Sequence, residues 1–108
     1  MTVIDIDEET ESSHDLVGPV IRSGHLAEAI IDAVEEDNPD QDVMVLDRGD
    51  YVRVHTIGRC RLRRTSLEKA LGQSYPLESL EIDMPSFRGR MKTRTDEYLW
   101  YYENYGQE

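Results

Sequence analysis

The stretch from Leu16 to Pro39 constrains the fold of this chain more than any other. Its first part, Leu16-Val-Gly-Pro-Val-Ile-Arg22, is apolar and of strand length, and Ser23-Gly24 marks a tight turn. From there Leu26, Ala29, Ile30, Ala33 and Val34 recur at i, i+3, i+4, i+7 and i+8, which aligns all of them on one face of a helix. Glu28, Asp32, Glu35 and Glu36 fall off that face. Ser23 is placed to cap the first turn, a contribution of about 1 kcal/mol. Pro39 disfavours helical geometry at Asn38 and closes the far end. A strongly amphipathic helix needs a sheet to cover, and the rest of the chain supplies one.

Beyond a polar turn at Asp40-Gln41-Asp42, Val43-Met44-Val45-Leu46 is a short apolar run. Asp47-Arg48-Gly49-Asp50 carries turn residues. Tyr51-Val52-Arg53-Val54-His55 then alternates, with Val52 and Val54 on one side and Tyr51, Arg53 and His55 on the other. Gly58 punctuates a second turn, and Arg59-Cys60-Arg61-Leu62-Arg63 alternates again, so a three-strand meander with one apolar face is expected. Thr65-Ser66-Leu67-Glu68 has the form of a capping box, and Gly72 suits a left-handed helix stop. Leu80 to Met84 alternates as a strand would, Pro85 to Gly89 reads as a loop, and Arg90 to Thr93 as a returning strand. Tyr98-Leu99-Trp100-Tyr101-Tyr102 reads as a strand whose aromatics occupy both parities, which leaves its buried side open.

These elements describe an α+β fold, with two helices packed on a mostly antiparallel sheet. The order is strand, helix, three strands, helix, then two or three strands. Residues 16–105 form a single domain. Residues 1–15 carry six acidic side chains and no basic one. With little apolar surface to bury, they read as a disordered acidic tail, either solubilising or ordering on a partner.

Charge narrows the function. The chain carries a net −11, which argues against a general nucleic-acid binder, because phosphate neutralisation needs a basic surface. Between Arg48 and Arg64 the sign reverses, with six arginines against Asp50. That stripe is either a solvated face or a docking surface for a protein, and contact with RNA is the remaining alternative. No segment approaches the roughly 18 apolar residues of a membrane span. The N-terminus lacks the pattern of a secretory signal. One cysteine, Cys60, permits no intrachain disulfide and suits a cytoplasmic location.

A catalytic constellation is not legible. Glu11-Ser-Ser-His14 has the Glu-x-x-His spacing of carboxylate-bridged di-iron sites, but those need two such motifs on facing helices plus two further carboxylates. Cys60 shares the inward parity of Leu62, which fits a packed core thiol better than a reactive one. No metal or cofactor is expected in the chain.

The ordered words Val17-Gly-Pro-Val-Ile-Arg-Ser-Gly24, Glu36-Asp-Asn-Pro39 and Asp47-Arg-Gly-Asp-Tyr-Val-Arg53 carry more than their chemistry. So do Thr65-Ser-Leu-Glu-Lys-Ala-Leu-Gly72 and Leu80-Glu-Ile-Asp-Met-Pro-Ser-Phe-Arg-Gly89. With them, the chain resembles the small effector, or coupling, proteins of soluble bacterial multicomponent di-iron monooxygenases. It is most similar to those of the toluene, alkene and isoprene monooxygenase branch. The resemblance implies a cofactor-free, non-catalytic protein that binds a hydroxylase near that partner's di-iron centre. There it would modulate turnover, substrate access, regioselectivity and the coupling of electron input to oxygenation. It also implies competition with the ferredoxin or reductase for docking, a monomer when free, and no membrane or nucleic-acid partner. The expected partner-binding residues are Arg48, Tyr51, Arg53 and Arg61 of the arginine stripe, with Ser86, Phe87 and Arg88 of the later loop.

Overall fold

The computed structural model describes residues 2–7 and 15–102. Its elements in chain order are β1 (Val3–Asp5), β2 (Leu16–Arg22), α1 (His25–Asp37), β3 (Val43–Asp47), β4 (Tyr51–Ile57), β5 (Arg59–Arg63) and α2 (Arg64–Leu71). A 3₁₀ turn (Leu77–Ser79) then runs into the one-turn helix α3 (Leu80–Asp83), followed by β6 (Ser86–Arg88), β7 (Arg90–Thr93) and β8 (Glu97–Tyr101). The strands form two sheets, one ordered β1-β3-β4-β2-β6 and a smaller one ordered β5-β8-β7. All neighbours are antiparallel except β1 and β3. The α+β class expected from the pattern is therefore observed.

The core forms where the predicted apolar faces meet. Ala29, Ile30, Ala33 and Val34 of α1 are buried, joined by Ala27, with Leu26 packed at the margin. They lie in one cluster with Val17 and Ile21 of β2, Val43 and Val45 of β3, and Val52 and Val54 of β4. Cys60 and Leu62 of β5, Leu67 of α2, and Tyr98 and Trp100 of β8 extend that cluster under the second sheet. The parity that the aromatic segment left open is thus settled by Tyr98 and Trp100.

Several local expectations are corrected. The meander breaks after β4, because Gly58 turns the chain at φ +79°. Its N–H bonds to the Asp15 carbonyl and its own carbonyl accepts from Tyr102. β5 consequently pairs with β8 and leaves the first sheet. Leu80 to Met84 is not a strand. Leu77, Leu80 and Met84 are buried at helical spacing, whereas Ile82, which a strand would bury beside Leu80, is 81% exposed. Ser23 does not cap α1, whose N-cap is Gly24; its hydroxyl donates instead to the Gly49 carbonyl, tying β2 to the β3–β4 turn. The capping box does not form either, since α2 already begins at Arg64. Ser66 donates to Asp37 at 2.5 Å, and Glu68 receives Arg64 and the Tyr75 N–H.

The reading of residues 1–15 as a tail is corrected for Val3–Asp5, which adds a parallel edge strand in register with Val43 to Val45. Alternating Val3 and Ile4 supply little core, but the exposed edge of β3 offers backbone partners, and backbone pairing suffices for a three-residue strand. Residues 8–14 lie outside the described residues.

The β5 edge that faces away from β8 is satisfied by side chains from the last residue of α1 and the segment after it. Gln41 donates to the Arg59 carbonyl at 2.9 Å and accepts from the Ile57 N–H at 3.0 Å. Asp37 accepts from the Arg63 N–H at 2.6 Å. The polar turn at Asp40-Gln41-Asp42 thereby belongs to the sheet architecture.

Candidate functional site

Cross-strand register assembles the site. Val20 in β2 lies between Arg53 of β4 and Ser86 of β6, so these three form one row across the sheet. One row along, Arg22 pairs with Tyr51. Its guanidinium sits 5.6 Å from the centroid of the Tyr51 ring, and Nη1 donates to the phenol oxygen at 3.3 Å. Such stacking orients both groups at the surface while leaving the cation intact. Arg48 and Asp50 come from the turn before β4, and Pro85 precedes β6.

Apart from Arg22, which braces Tyr51 from outside, these residues line an open groove of about 640 Å³. It continues past Val20, Arg53 and Ser86 into a second concavity of about 300 Å³, bordered by Phe87 and Arg88 and floored by His55. On the other side of Ser86 and Phe87 lies a more apolar hollow of about 360 Å³, lined by Met84, Pro85 and Met91. Phe87 stands at the junction and is 42% exposed. An exposed aromatic beside several arginines is the composition of an interaction hot spot.

Six of the expected partner-binding residues are brought together here: Arg48, Tyr51, Arg53, Ser86, Phe87 and Arg88. Arg61 is not among them. It projects from β5 in the second sheet, where it borders a separate depression with Arg59, Lys92 and Arg94. The arginine stripe is therefore two surfaces, because the turn at Gly58 sends its halves into different sheets. Sequence reasoning missed Arg22, Val20 and Pro85. The signal for Arg22 was its position at the end of β2, opposite the start of β4.

His55 shares the parity of Arg53 as expected, but it is buried and does not lie on an outer face. Its ring packs over Gly18, where a Cβ would lie 3.0 Å from His55 Cδ2. Burial, reinforced by the charges of Arg88 and Arg53, lowers its pKa to about 3. It is a neutral imidazole at physiological pH and no proton reservoir. Cys60 is fully buried, as its parity implied, and desolvation pushes its thiol up to about 12. The thiolate required of a nucleophile is thus strongly disfavoured. Glu11 and His14 lie outside the described residues. Among the described residues, no group of three or more His, Cys, Asp or Glu side chains is arranged to hold a metal ion. No helix among them is long and apolar enough to cross a membrane. The groups this site displays are guanidinium, aromatic and hydroxyl.

Comparison with known proteins identifies the relatives of the chain. The model of the MmoB/DmpM family matches residues 15–101. The effector subunit of the alkene monooxygenase system of Xanthobacter autotrophicus is 53% identical over 103 residues, spanning 95% of this chain and 96% of that protein. Among solved structures, a chain of a phenol hydroxylase–regulatory protein complex superposes with a TM-score of 0.67 at 23% identity, covering 82% of this chain and 99% of its own. The regulatory protein B of soluble methane monooxygenase superposes with a TM-score of 0.62 at 21% identity, covering 85% of this chain and 68% of its own. These two likenesses concern the fold. The family match and the full-length identity concern descent, and with them the chain belongs to the MmoB/DmpM family as an effector component, not a catalytic one, of a monooxygenase system.

Proposed function

We propose that the protein is the effector of a multicomponent di-iron hydrocarbon monooxygenase, and that it docks on the hydroxylase through the groove around Arg53, Ser86 and Phe87. The di-iron centre belongs to the hydroxylase, and this chain contributes contacts without a cofactor of its own. The observation that carries the proposal is the 53% identity, end to end, with an alkene monooxygenase effector subunit. A structural relative seen in complex with phenol hydroxylase supports a hydroxylase as the partner.

An effector acts by binding some states of its partner better than others, since equal affinity for all states shifts nothing. A coupling of about 1–3 kcal/mol changes populations severalfold to a hundredfold. Held against the hydroxylase near its metal centre, the arginine and aromatic groups would favour the state in which substrate access and electron input are matched. The ferredoxin or reductase would compete for neighbouring surface, and the free protein would be a cytoplasmic monomer. The RNA alternative loses its main support, because the stripe it needed is divided between two sheets.

Reconstitution tests the proposal. The hydroxylase, ferredoxin and reductase of such a monooxygenase system are assayed while the protein is titrated in. Turnover and product distribution are expected to change and to saturate near stoichiometric protein. A rate and product ratio that stay constant across the titration would sink the proposal.

A further inference from the structure

The outer face of the second sheet concentrates positive charge that the groove at Ser86 does not use. β5 presents Arg59, Arg61 and Arg63 opposite the buried Cys60 and Leu62. β7 sets Arg90 and Lys92 in register with Tyr101 and Leu99 of β8, and those same two residues pair with Arg59 and Arg61 on the other side. Two cationic rows therefore flank a central strip of Glu97, Leu99 and Tyr101. Across the three strands there are five cations and one carboxylate, in a chain whose net charge is −11. That carboxylate, Glu97, already lies 3.5 Å from Arg61. Arg59, Arg61, Lys92 and Arg94 surround a depression of about 170 Å³ over Leu99.

This face is separate from the groove described above. The two share no lining residue, and β7 divides them by alternation, with Met91 and Thr93 facing the hollow at Phe87 and Arg90 and Lys92 facing away.

We propose that the outer face of the β5-β8-β7 sheet is a second docking surface, and that its occupant is the acidic face of another protein. Charge complementarity selects the sign of the partner, and the fixed register of a sheet gives the cations a defined footprint. Half-buried Leu99 and Tyr101 beneath them supply the apolar and aromatic centre of a protein interface. A nucleic acid fits less well, because the remaining acidic surface repels an extended polyanion at every point beyond the patch. The proposal does not depend on the hydroxylase reading, and the two faces could be occupied together.

A titration of the full chain with a short peptide of Glu, Asp and Leu, followed by backbone amide NMR shifts, tests it. Saturable shifts are expected along β5, β7 and β8 and not at Ser86 or Phe87. The double variant Lys92→Glu/Arg94→Glu is expected to weaken binding by about tenfold or more with an unchanged melting temperature, while Arg53→Glu leaves it unaltered. No saturable shift would reduce these cations to charges that merely protect an edge strand from pairing, and would overturn the proposal. So would shifts centred on Phe87, or tighter binding of single-stranded DNA than of the peptide at the same face.

Discussion

Asn38 and Arg61 exchange a reciprocal pair of hydrogen bonds that stands in for a missing strand. Nδ2 of Asn38 donates to the Arg61 carbonyl at 2.8 Å, and the Arg61 N–H donates to Oδ1 at 3.0 Å. The same Nδ2 reaches the Val34 carbonyl at 2.7 Å, so one buried amide ends the helix and fastens the edge of β5. Asn38→Ala leaves the Arg61 N–H and carbonyl without these partners, and each buried orphan costs about 1–3 kcal/mol. Urea denaturation is expected to show a loss of about 2–4 kcal/mol. A loss below about 0.5 kcal/mol would mean that water replaces the amide without penalty.

Gly18 lies with its Cα face hard against the backbone of β4. A Cβ there would meet the Val54 carbonyl oxygen at 2.3 Å, and its φ of +141° is itself unfavourable for any other residue. Gly18→Ala should cost about 3 kcal/mol or more, combining backbone strain with overpacking. Soluble protein with a melting temperature close to the parent would contradict the close approach.

The buried imidazole of His55 makes stability depend on pH. Its pKa falls from 6.5 in the unfolded chain to about 3 in the folded one. The unfolded state therefore binds the extra proton in this window, and stability rises with pH. The contribution is complete above the unfolded value and is lost as the pH falls toward the folded one. Between pH 7.5 and pH 5 the parent is expected to lose about 2 kcal/mol more than His55→Gln. Parallel pH profiles for the two proteins would contradict a neutral, buried His55.

Phe87 and Arg53 should separate docking from folding. Phe87 is exposed between the two smaller concavities, so Phe87→Ala removes little buried surface. Its melting temperature should stay near that of the parent while affinity for the hydroxylase falls about tenfold or more, the cost of losing an interface anchor. Arg53→Ala should weaken the same complex. Titration calorimetry beside thermal denaturation decides the point, because a variant that melts early and still binds would make the residue structural.

What could be read in advance followed from periodicity. The 3.6-residue spacing of Leu26 to Val34 and the alternation at Val52, Val54, Cys60 and Leu62 predicted which faces are buried. Long-range choices were not legible. Nothing local shows that β5 leaves β4 for β8, some forty residues on in sequence, because alternation is indifferent to the partner strand. Leu80 and Met84 satisfied strand and helix patterns alike, and only the exposure of Ile82 separates them. Arg48, Tyr51 and Arg53 were recognised as surface chemistry, yet the groove they form depends on Ser86 arriving beside Val20, which is a fact of register.

Trp100 lies near the end of the described chain, fully buried, in register with Cys60 of β5 and Met91 of β7. A ribosome making this protein releases β5 long before the strand that completes its sheet. The second half of the core stays without its largest side chain until residues 97–101 have emerged. Non-local closure of this kind is slow relative to helix formation. This domain is thus expected to fold in one step once residues 97–101 are available, and not to mature gradually as the earlier strands appear. Tags or truncations that disturb residues 97–101 would then stop folding altogether, whereas comparable changes at residues 2–7 would trim one edge of a finished sheet.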